Sequence, residues 1–199
     1  MEKRLKMKRM MIVESREFIV ESPSKGVFKS LVDIEDYDRI MEANIKWRID
    51  SPSTRVRYGP YIIGYNRELK KEVKLHRWLM DAPPGLQVDH INGDTLDNRR
   101  CNLRLVTIKE NQANRRMNYN NAVGYKGVRR TKSGKKYTAR LCRRLNRGKT
   151  KEIHLGTFTS LQEAAMAYDR KAIEIYGPEY AKLNFPENIE QYKKELEKQ

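Results

Sequence analysis

The sequence predicts an α+β fold, with a small β-rich N-terminal unit, a central ββα unit, and a C-terminal three-stranded antiparallel sheet packed on one helix. Short runs in which apolar and polar residues alternate indicate half-buried strands, and they outnumber the segments with a helical period. The longer helical segments follow N-cap signals, which separate them from the strands. Asn- and Gly-rich turns and an abrupt rise in basic charge near residue 125 divide the chain into these units.

Composition limits the classes of partner. The chain has 199 residues and a formal net charge of +16, from 42 Lys and Arg against 26 Asp and Glu. An excess of this size is typical of proteins that bind a polyanion, either nucleic acid or, less often, an anionic membrane. A soluble protein with a merely basic surface is the alternative. The length suits one large or two small domains.

Several other classes are excluded by features that the sequence lacks. No apolar run approaches the roughly 18 residues that a membrane-spanning helix needs, and residues 1–13 lack the apolar core of a secretory signal. Cys101 and Cys142 are far apart, which excludes a cysteine zinc ribbon and a disulfide framework. We therefore expect a reduced, cytoplasmic setting and no membrane partner.

Residues 1–74 are predicted to form the N-terminal unit, which shows no chemistry of its own. Its first 24 residues are charged and poorly patterned, and they end in a loop over 21–26. The elements predicted after this loop are a strand over 27–33, a short helix over 33–44 with Asp33 as its N-cap, and strands over 45–50, 61–66 and 71–76.

The central unit is assigned to residues 75–116. It begins with a short helix over 75–80, which the Pro-containing stretch 81–85 ends. "LQVDHI" (86–91) predicts a strand, Asn92-Gly93 a tight turn, and "NLRLVT" (102–107) a second strand. The last predicted element is a helix from Ile108 to about Arg116, because Thr107 and Glu110 form a capping-box pattern.

Asp89, His90 and Asn111 supply the groups that phosphodiester hydrolysis needs. A neutral histidine can act as a base toward water near neutral pH. Carboxylate and amide oxygens can hold a hard divalent metal, which neutralises phosphate charge and assists the leaving oxygen. Because adjacent strand residues point to opposite faces, Asp89 and His90 can share a site only if their strand twists or bulges before the turn. The alternative is a polar loop in which Asn98 and Asn102 only close turns.

A change of composition introduces the C-terminal unit. Between 126 and 151 there are twelve Lys or Arg residues and no acid. Alternation over 137–144 and 152–155 predicts strands, and the segment from Ser160 to Gly177 has the period of an amphipathic helix with a cap at each end. The predicted limits are a linker over 117–124, the unit itself over 125–186, and a charged, marginally helical tail over 187–199.

One face of the predicted C-terminal sheet is basic and open. The helix-free face carries Arg129, Arg140 and Arg144. The major groove of DNA admits strands that present alternate side chains to base edges. This unit is therefore predicted to dock on duplex DNA. A solvated charged face is the alternative, although ordinary surfaces intersperse both signs of charge.

Four motifs of the C-terminal unit, "YKGVRR", "LGTF", "EAAMAYDRKA" and "LNFP", resemble the Apetala-two/ethylene-response-factor DNA-binding domain, and the likeness covers residues 125–186. The resemblance implies a three-stranded sheet bound in the major groove of double-stranded DNA. Departures from the plant domains at Thr131, Cys142 and His154 mean that the plant target sequence is not implied. The DNA-binding residues expected from the basic face and the resemblance are Lys126, Gly127, Arg129, Lys135, Arg140, Arg144, His154 and Tyr168, the last at the DNA backbone.

The segments "LHRW" and "VDHINGDTLDNRRCNLRLVTIKENQAN", within residues 75–114, resemble the HNH endonucleases with the ββα-metal fold, in the branch typical of phage and intron homing enzymes. The resemblance implies His90 as general base, Asp89 and Asn111 as metal ligands, and Asn102 as the catalytic asparagine that braces the loop carrying the histidine. It also implies one divalent ion, Mg²⁺ first, with Mn²⁺ or another divalent ion as alternatives. The accessory candidates are His76, Asn98 and Asn114. For His76 a packed or turn-stabilising role is favoured over a phosphate contact, and for Asn98 and Asn114 bracing of the loop and helix is favoured over metal ligation.

Together the resemblances imply a metal-dependent DNA endonuclease of the homing type, which cuts duplex DNA at a site recognised by the C-terminal unit. They imply a DNA-associated protein in a bacterial or phage-infected cell, as a monomer or a homodimer. Two other functions stay open from the sequence. One is a non-catalytic DNA-binding regulator with a vestigial HNH unit, and the other is an RNA-binding, maturase-like accessory protein.

Overall fold

The structure, a computed structural model, describes residues 14–50, 59–115, 117, 121–144 and 150–198. The chain divides into two compact units. The first consists of Met1–Leu79 and Thr95–Asn102, and the second of Met80–Asp94 and Leu103–Gln199. The predicted α+β class, with a C-terminal three-stranded antiparallel sheet packed on one helix, is confirmed.

In its described residues, 14–50, 59–79 and 95–102, the first unit contains two antiparallel sheets and two short helices. One sheet is the hairpin β1–β2, and the other has the strand order β3-β4-β5. The elements are β1 (Ser15–Ser22), β2 (Gly26–Asp33), α1 (Ile34–Glu42), β3 (Trp47–Asp50), β4 (Tyr61–Asn66), β5 (Lys71–Lys74) and α2 (Leu75–Leu79). Their buried side chains form one hydrophobic cluster, which includes Val32, Ile40, Leu75 and Leu79.

Strand β1 corrects the expectation that residues 1–24 are poorly patterned. Phe18 and Val20 alternate inward in this strand and join the hydrophobic cluster. Its charged neighbours hide the alternation in the sequence, but pairing with β2 in continuous register fixes which side chains face the core. Residues 1–13 lie outside the described part of the chain.

The segment Thr95–Asn102 is held on β2 by backbone and side-chain hydrogen bonds. Leu31 N–H donates to Leu96 O at 3.0 Å, and Asn98 N–H donates to Leu31 O at 2.8 Å. Asp33 occupies the predicted N-cap position of α1, but its side chain makes no cap and instead accepts from Arg100 N–H at 2.9 Å. A loop that the sequence assigns to the central unit is therefore built into the first unit.

The second unit begins with a strand pair and a helix. These elements are β6 (Gln87–His90), β7 (Leu103–Val106) and α3 (Ile108–Ala113), with β6 and β7 antiparallel. The predicted capping box is confirmed, because Thr107 Oγ1 accepts from Glu110 N–H while the Glu110 carboxylate accepts from Thr107 N–H. Helix α3 ends at Ala113, before the predicted limit near Arg116, which lies outside the described residues.

The rest of the second unit is a sheet of order β10-β9-β8 with helix α4 packed on one face. The elements are β8 (Val128–Arg130), β9 (Tyr137–Arg144), β10 (Thr150–Phe158), α4 (Leu161–Tyr176) and α5 (Ile189–Leu196). Ala139 and Leu141 of β9 are buried against α4, as the alternation predicts. Among the residues that the structure describes, every helix is too short or too polar to cross a bilayer.

Two features after α4 complete this unit. The buried carboxylate of Asp169 accepts from the backbone N–H groups of Asn184 and Phe185, both at 2.8 Å, and so holds the "LNFP" segment on the helix. Helix α5 lies in the stretch expected to be a charged, marginal tail, yet its Tyr192 is fully buried. A single aromatic side chain among charged neighbours gives little periodic signal, so the sequence did not predict this packing.

Candidate functional site

Asp89 and His90 are the last two residues of β6, and both are buried. They pair with Arg104 and Leu103 of β7 in regular antiparallel register. The strand ends at His90 and turns at once, because Gly93 N–H donates to His90 O at 2.8 Å and Gly93 adopts a φ of +76°. The regular strand therefore ends at His90, and Asp89 and His90 pair within it without the bulge expected from the sequence between them and the turn.

The carboxylate of Asp89 accepts hydrogen bonds from the side chains of Arg104 and Asn114. Arg104 donates to its Oδ2 from Nε at 2.9 Å and from Nη2 at 2.8 Å. Asn114 Nδ2 lies 3.0 Å from Oδ1 and 3.1 Å from Oδ2. Because both members of the Arg104–Asp89 pair are largely shielded from water, the pair depends on this geometry for its stability.

Asn114 connects the helix end to both residues of the Asp-His pair. Its Nδ2 also donates to His90 O at 2.9 Å, beside its contacts with the Asp89 carboxylate. One turn earlier on α3, Asn111 Nδ2 donates to Gln87 Oε1 at 2.5 Å. Gln87 and Asp89 are two positions apart on β6 and therefore share a face, so α3 places both asparagines against that face.

Three predicted residues belong to the first unit. Asn102 Nδ2 donates to Asp97 O at 2.7 Å and closes the loop between them. Asn98 is buried, and its Nδ2 donates to Ser30 Oγ at 2.9 Å. His76 is buried in α2, with its ring centroid 5.3 Å from that of Tyr61. Asn98 and Asn102 thus brace a loop, and His76 packs on an aromatic ring.

The basic face of the C-terminal sheet is exposed, with one internal ion pair. Arg129, Lys135 and His154 are exposed. Arg140 Nη1 donates to Glu152 Oε1 at 2.8 Å across the β9–β10 pair. The hydrogen bond from Arg140 lowers the pKa of the Glu152 carboxyl, so Glu152 is charged on this face. The side chain of Arg144 lies outside the described part of the chain.

Three other predicted DNA-binding residues are partly or fully buried, and each contacts other parts of the unit. Lys126 Nζ donates to Ala113 O at 2.7 Å, and burial lowers the pKa of this amine to about 7. Gly127 has a φ of +76° and packs against the ring of Tyr168. Tyr168 is 6% exposed, and burial raises the pKa of its hydroxyl. Lys126, Gly127 and Tyr168 thus make contacts within the unit that carries the exposed basic residues.

Comparison with known families assigns both parts of the chain. The family model described as HNH endonuclease matches residues 74–113, and the AP2 domain model matches residues 123–178. The chain carries an HNH endonuclease domain followed by an AP2 domain. The HNH match contains β6, β7 and α3, and the AP2 match contains the three-stranded sheet and α4.

Several curated proteins of Arabidopsis thaliana match part of this chain. Dehydration-responsive element-binding protein 2E of Arabidopsis thaliana is 54% identical over 44 residues, which are 22% of this chain and 18% of that protein. Dehydration-responsive element-binding protein 2D of the same plant is 49% identical over 70 residues, which are 35% of this chain and 32% of that protein. An ethylene-responsive transcription factor of that plant is 32% identical over 102 residues, 49% of this chain and 58% of its own. The chain thus spans less than two thirds of each relative, and no solved structure matches it significantly.

The two domains together indicate a DNA-binding nuclease. The AP2 domain implies binding to double-stranded DNA, and HNH nucleases generally use divalent metals. The donors of Asp89 and Asn111 fit a hard cation, because both can offer oxygen ligands. Within the described residues no group of three or more His, Cys, Asp and Glu side chains could hold an ion.

Arg104 and Glu152 are among the residues that contact the predicted site residues but were not themselves predicted. Arg104 was only one of several arginines near the motif, and its pairing with Asp89 depends on the β6–β7 register across a long loop. Glu152 lies in a strand that the sequence predicts, but its pairing with Arg140 depends on the register of β10 on β9. Both contacts arise from the pairing of two strands, and the sequence alone does not give the register of that pairing.

Replacing Glu152 with glutamine is expected to strengthen binding to duplex DNA about two- to fivefold near physiological salt, because it frees Arg140 and removes a negative charge near phosphate. The slope of log affinity against log salt should steepen by about one unit. Fluorescence anisotropy across a salt series measures both quantities. Glu174→Gln is the matched control, since Glu174 pairs with Lys171 on the surface of α4, and it should change neither. Weaker binding in the Glu152 variant would contradict the expectation.

Proposed function

We propose that this protein is a metal-dependent endonuclease of the homing type, which hydrolyses phosphodiester bonds of duplex DNA at a site bound by its AP2 domain. The observation that carries the proposal is the position of Asp89 and His90. They end a strand inside the HNH match, and the side chain of Asn114, directly after α3, contacts the carboxylate of the first and the carbonyl oxygen of the second. The AP2 domain in the same chain supplies the affinity for DNA.

His90 is assigned the role of general base. Its imidazole takes a proton from a water molecule, and the water oxygen attacks the phosphorus atom of the scissile bond. The bond between phosphorus and the 3′ oxygen breaks, which leaves 5′-phosphate and 3′-hydroxyl ends. The short turn after His90 fixes the end of its strand, which limits the movement of the base relative to the site.

Asp89 and Asn111 are the residues that would hold a divalent cation, with Mg²⁺ first. When bound, the cation supplies charge neutralisation on the phosphate and on the departing oxygen. Asn114 and Arg104 orient the Asp89 carboxylate, and Gln87 orients the Asn111 amide. Asn102, through its hydrogen bond to Asp97 O, is assigned to bracing the loop rather than to chemistry.

The test uses the full chain and a duplex DNA library of random sequence. Bound duplexes are first selected without metal and are then incubated with Mg²⁺, Mn²⁺ or EDTA, and ends are mapped on both strands. We expect cuts near a common selected motif, 5′-phosphate ends, and loss of cutting in EDTA. Cuts on one strand indicate nicking, whereas cuts on both strands indicate paired action.

Two outcomes would replace the proposal. Selection of a duplex motif without cutting under any metal favours the DNA-binding regulator. Stronger competition by structured RNA than by duplex DNA at equal salt favours an RNA-binding accessory protein, since the electrostatic contribution to both is then matched. A divalent-ion dependence without a selected motif would support a nuclease and contradict site recognition by the AP2 domain.

A further inference from the structure

The strand pair and helix of the HNH domain pack directly on the AP2 domain. All of β6, β7 and α3 belong to the same compact unit as the AP2 sheet and α4. Ala113, the last residue of α3, is 2% exposed and joins the core cluster that contains Leu141, Tyr168 and Ala172. The predicted linker over 117–124 therefore connects two elements that already share a hydrophobic core.

The C-terminal end of α3 receives two donors from the AP2 part of the chain. Lys126 Nζ donates to Ala113 O at 2.7 Å, and Lys182 N–H donates to the same oxygen at 3.4 Å. The carbonyls at the end of a helix have no partner within that helix and carry partial negative charge. Lys126 therefore satisfies this end of the nuclease helix from a position at the start of the AP2 sheet.

A second connection runs from the candidate site itself. The guanidinium of Arg104 contacts Asp89 through Nε and Nη2, and its Nη1 donates to Glu179 O at 2.6 Å. The same guanidinium lies 4.8 Å from the ring centroid of Tyr180. Glu179 and Tyr180 follow α4 of the AP2 domain. The side chain of Arg104 thus contacts both the Asp89 carboxylate and the segment that follows α4.

We propose that Lys126 and Arg104 are positioning residues that fix the nuclease strand and helix on the AP2 domain. The packed surface, and not the length of the 117–124 segment, then sets the place of Asp89 relative to the AP2 sheet. One consequence rests on the proposed function. The distance between the DNA sequence bound by the AP2 domain and the cut bond is then constant.

Inserting residues into the 117–124 segment distinguishes a nuclease that is packed on the AP2 domain from one that is only tethered to it. Four added residues, Gly-Ser-Gly-Ser between Asn118 and Tyr119, extend a flexible tether by up to about 13 Å. This length corresponds to about four base pairs along duplex DNA. A tethered nuclease would therefore spread its cuts over several positions after the insertion, whereas a packed nuclease would keep them.

The first readout needs neither DNA nor cleavage. Spin labels are placed on Lys109→Cys of α3 and Gln162→Cys of α4, two exposed positions, in a background with Cys101 and Cys142 changed to serine. Pulsed dipolar spectroscopy gives the distance distribution with and without the insertion. We expect one narrow distribution that the insertion leaves unchanged. A distribution that broadens or shifts with the insertion would overturn the proposal.

The role of Lys126 is tested in the insertion background. Lys126→Met should broaden the distance distribution, and Lys126→Arg should restore it, because arginine can also donate to Ala113 O. Lys135→Met removes the same charge from an exposed lysine of the AP2 domain and should leave the distribution narrow. A narrow distribution in Lys126→Met would overturn the assignment of Lys126. Arg104→Met, read by the spin labels alone, is expected to broaden it as well.

Cut mapping on a selected duplex gives the functional readout. The insertion should leave the offset between the bound motif and the cut bond unchanged. Adding Lys126→Met to the insertion variant should distribute the cuts over several offsets. A protein that cuts no DNA but keeps an insertion-insensitive distance contradicts the proposed function and supports the packed arrangement. Cleavage whose offset varies with the insertion supports the nuclease and contradicts the packed arrangement.

Discussion

Replacing His90 with alanine is expected to lower the single-turnover rate of DNA cleavage by about 10²–10⁴-fold, the usual contribution of a general base. The affinity for duplex DNA should be retained, because the exposed basic residues of the AP2 domain are untouched. His90 ends β6 and is buried, so the change removes an imidazole from a position that the backbone of the turn holds in place. Quench-flow cleavage at saturating protein and anisotropy binding measure the two quantities separately.

The control for this variant is its neighbour. Ile91→Ala changes an exposed side chain in the same turn, while the carbonyl oxygen that Asn114 contacts stays in place. It should cleave at close to the wild-type rate. Full activity of His90→Ala would contradict the assigned mechanism, and equal loss in both variants would indicate that the turn rather than the imidazole is what matters.

The sequence predicted those parts of the site whose signals are local. The capping box of Thr107 and Glu110 involves residues three apart, and it placed the start of α3 correctly. The Asn92-Gly93 pair likewise marked the turn that ends β6, because only a few residues determine a turn of this kind. These local signals placed Asp89 and His90 at the end of a strand and Asn111 in the first turns of a helix.

The partners of these residues could not be predicted in the same way. Arg104 meets Asp89 only because β6 and β7 pair in one register, and shifting that register by one residue would turn Arg104 to the other face. The contact of Lys126 with Ala113 requires α3 to pack on the AP2 core, which is a long-range choice among apolar surfaces. Lys126 was expected to contact DNA because the resemblance aligns positions, and alignment does not include the neighbouring domain.

Replacing Gly127 with alanine is expected to lower the free energy of unfolding of the second unit by about 2–5 kcal/mol. A non-glycine residue at a φ of +76° costs about 1–2 kcal/mol. A Cβ at this position would also overlap the ring of Tyr168 and lie 2.8 Å from Arg140 O, and crowding of this kind in a packed core costs about 1–3 kcal/mol. Urea denaturation followed by far-UV circular dichroism and by amide protection in β9 measures the loss.

Gly134→Ala separates the two causes. Gly134 has nearly the same φ, +74°, but an added Cβ there meets no atom within 4 Å, so only the backbone penalty of about 1–2 kcal/mol should appear. The difference between the variants then measures the close approach of Gly127 to Tyr168. Because Arg140 N–H donates to Gly127 O at 2.8 Å, the same crowding should displace β9 and weaken DNA binding in Gly127→Ala alone. Equal losses in stability and equal DNA affinities would contradict this account, since they would mean that the Tyr168 ring yields without displacing the basic face.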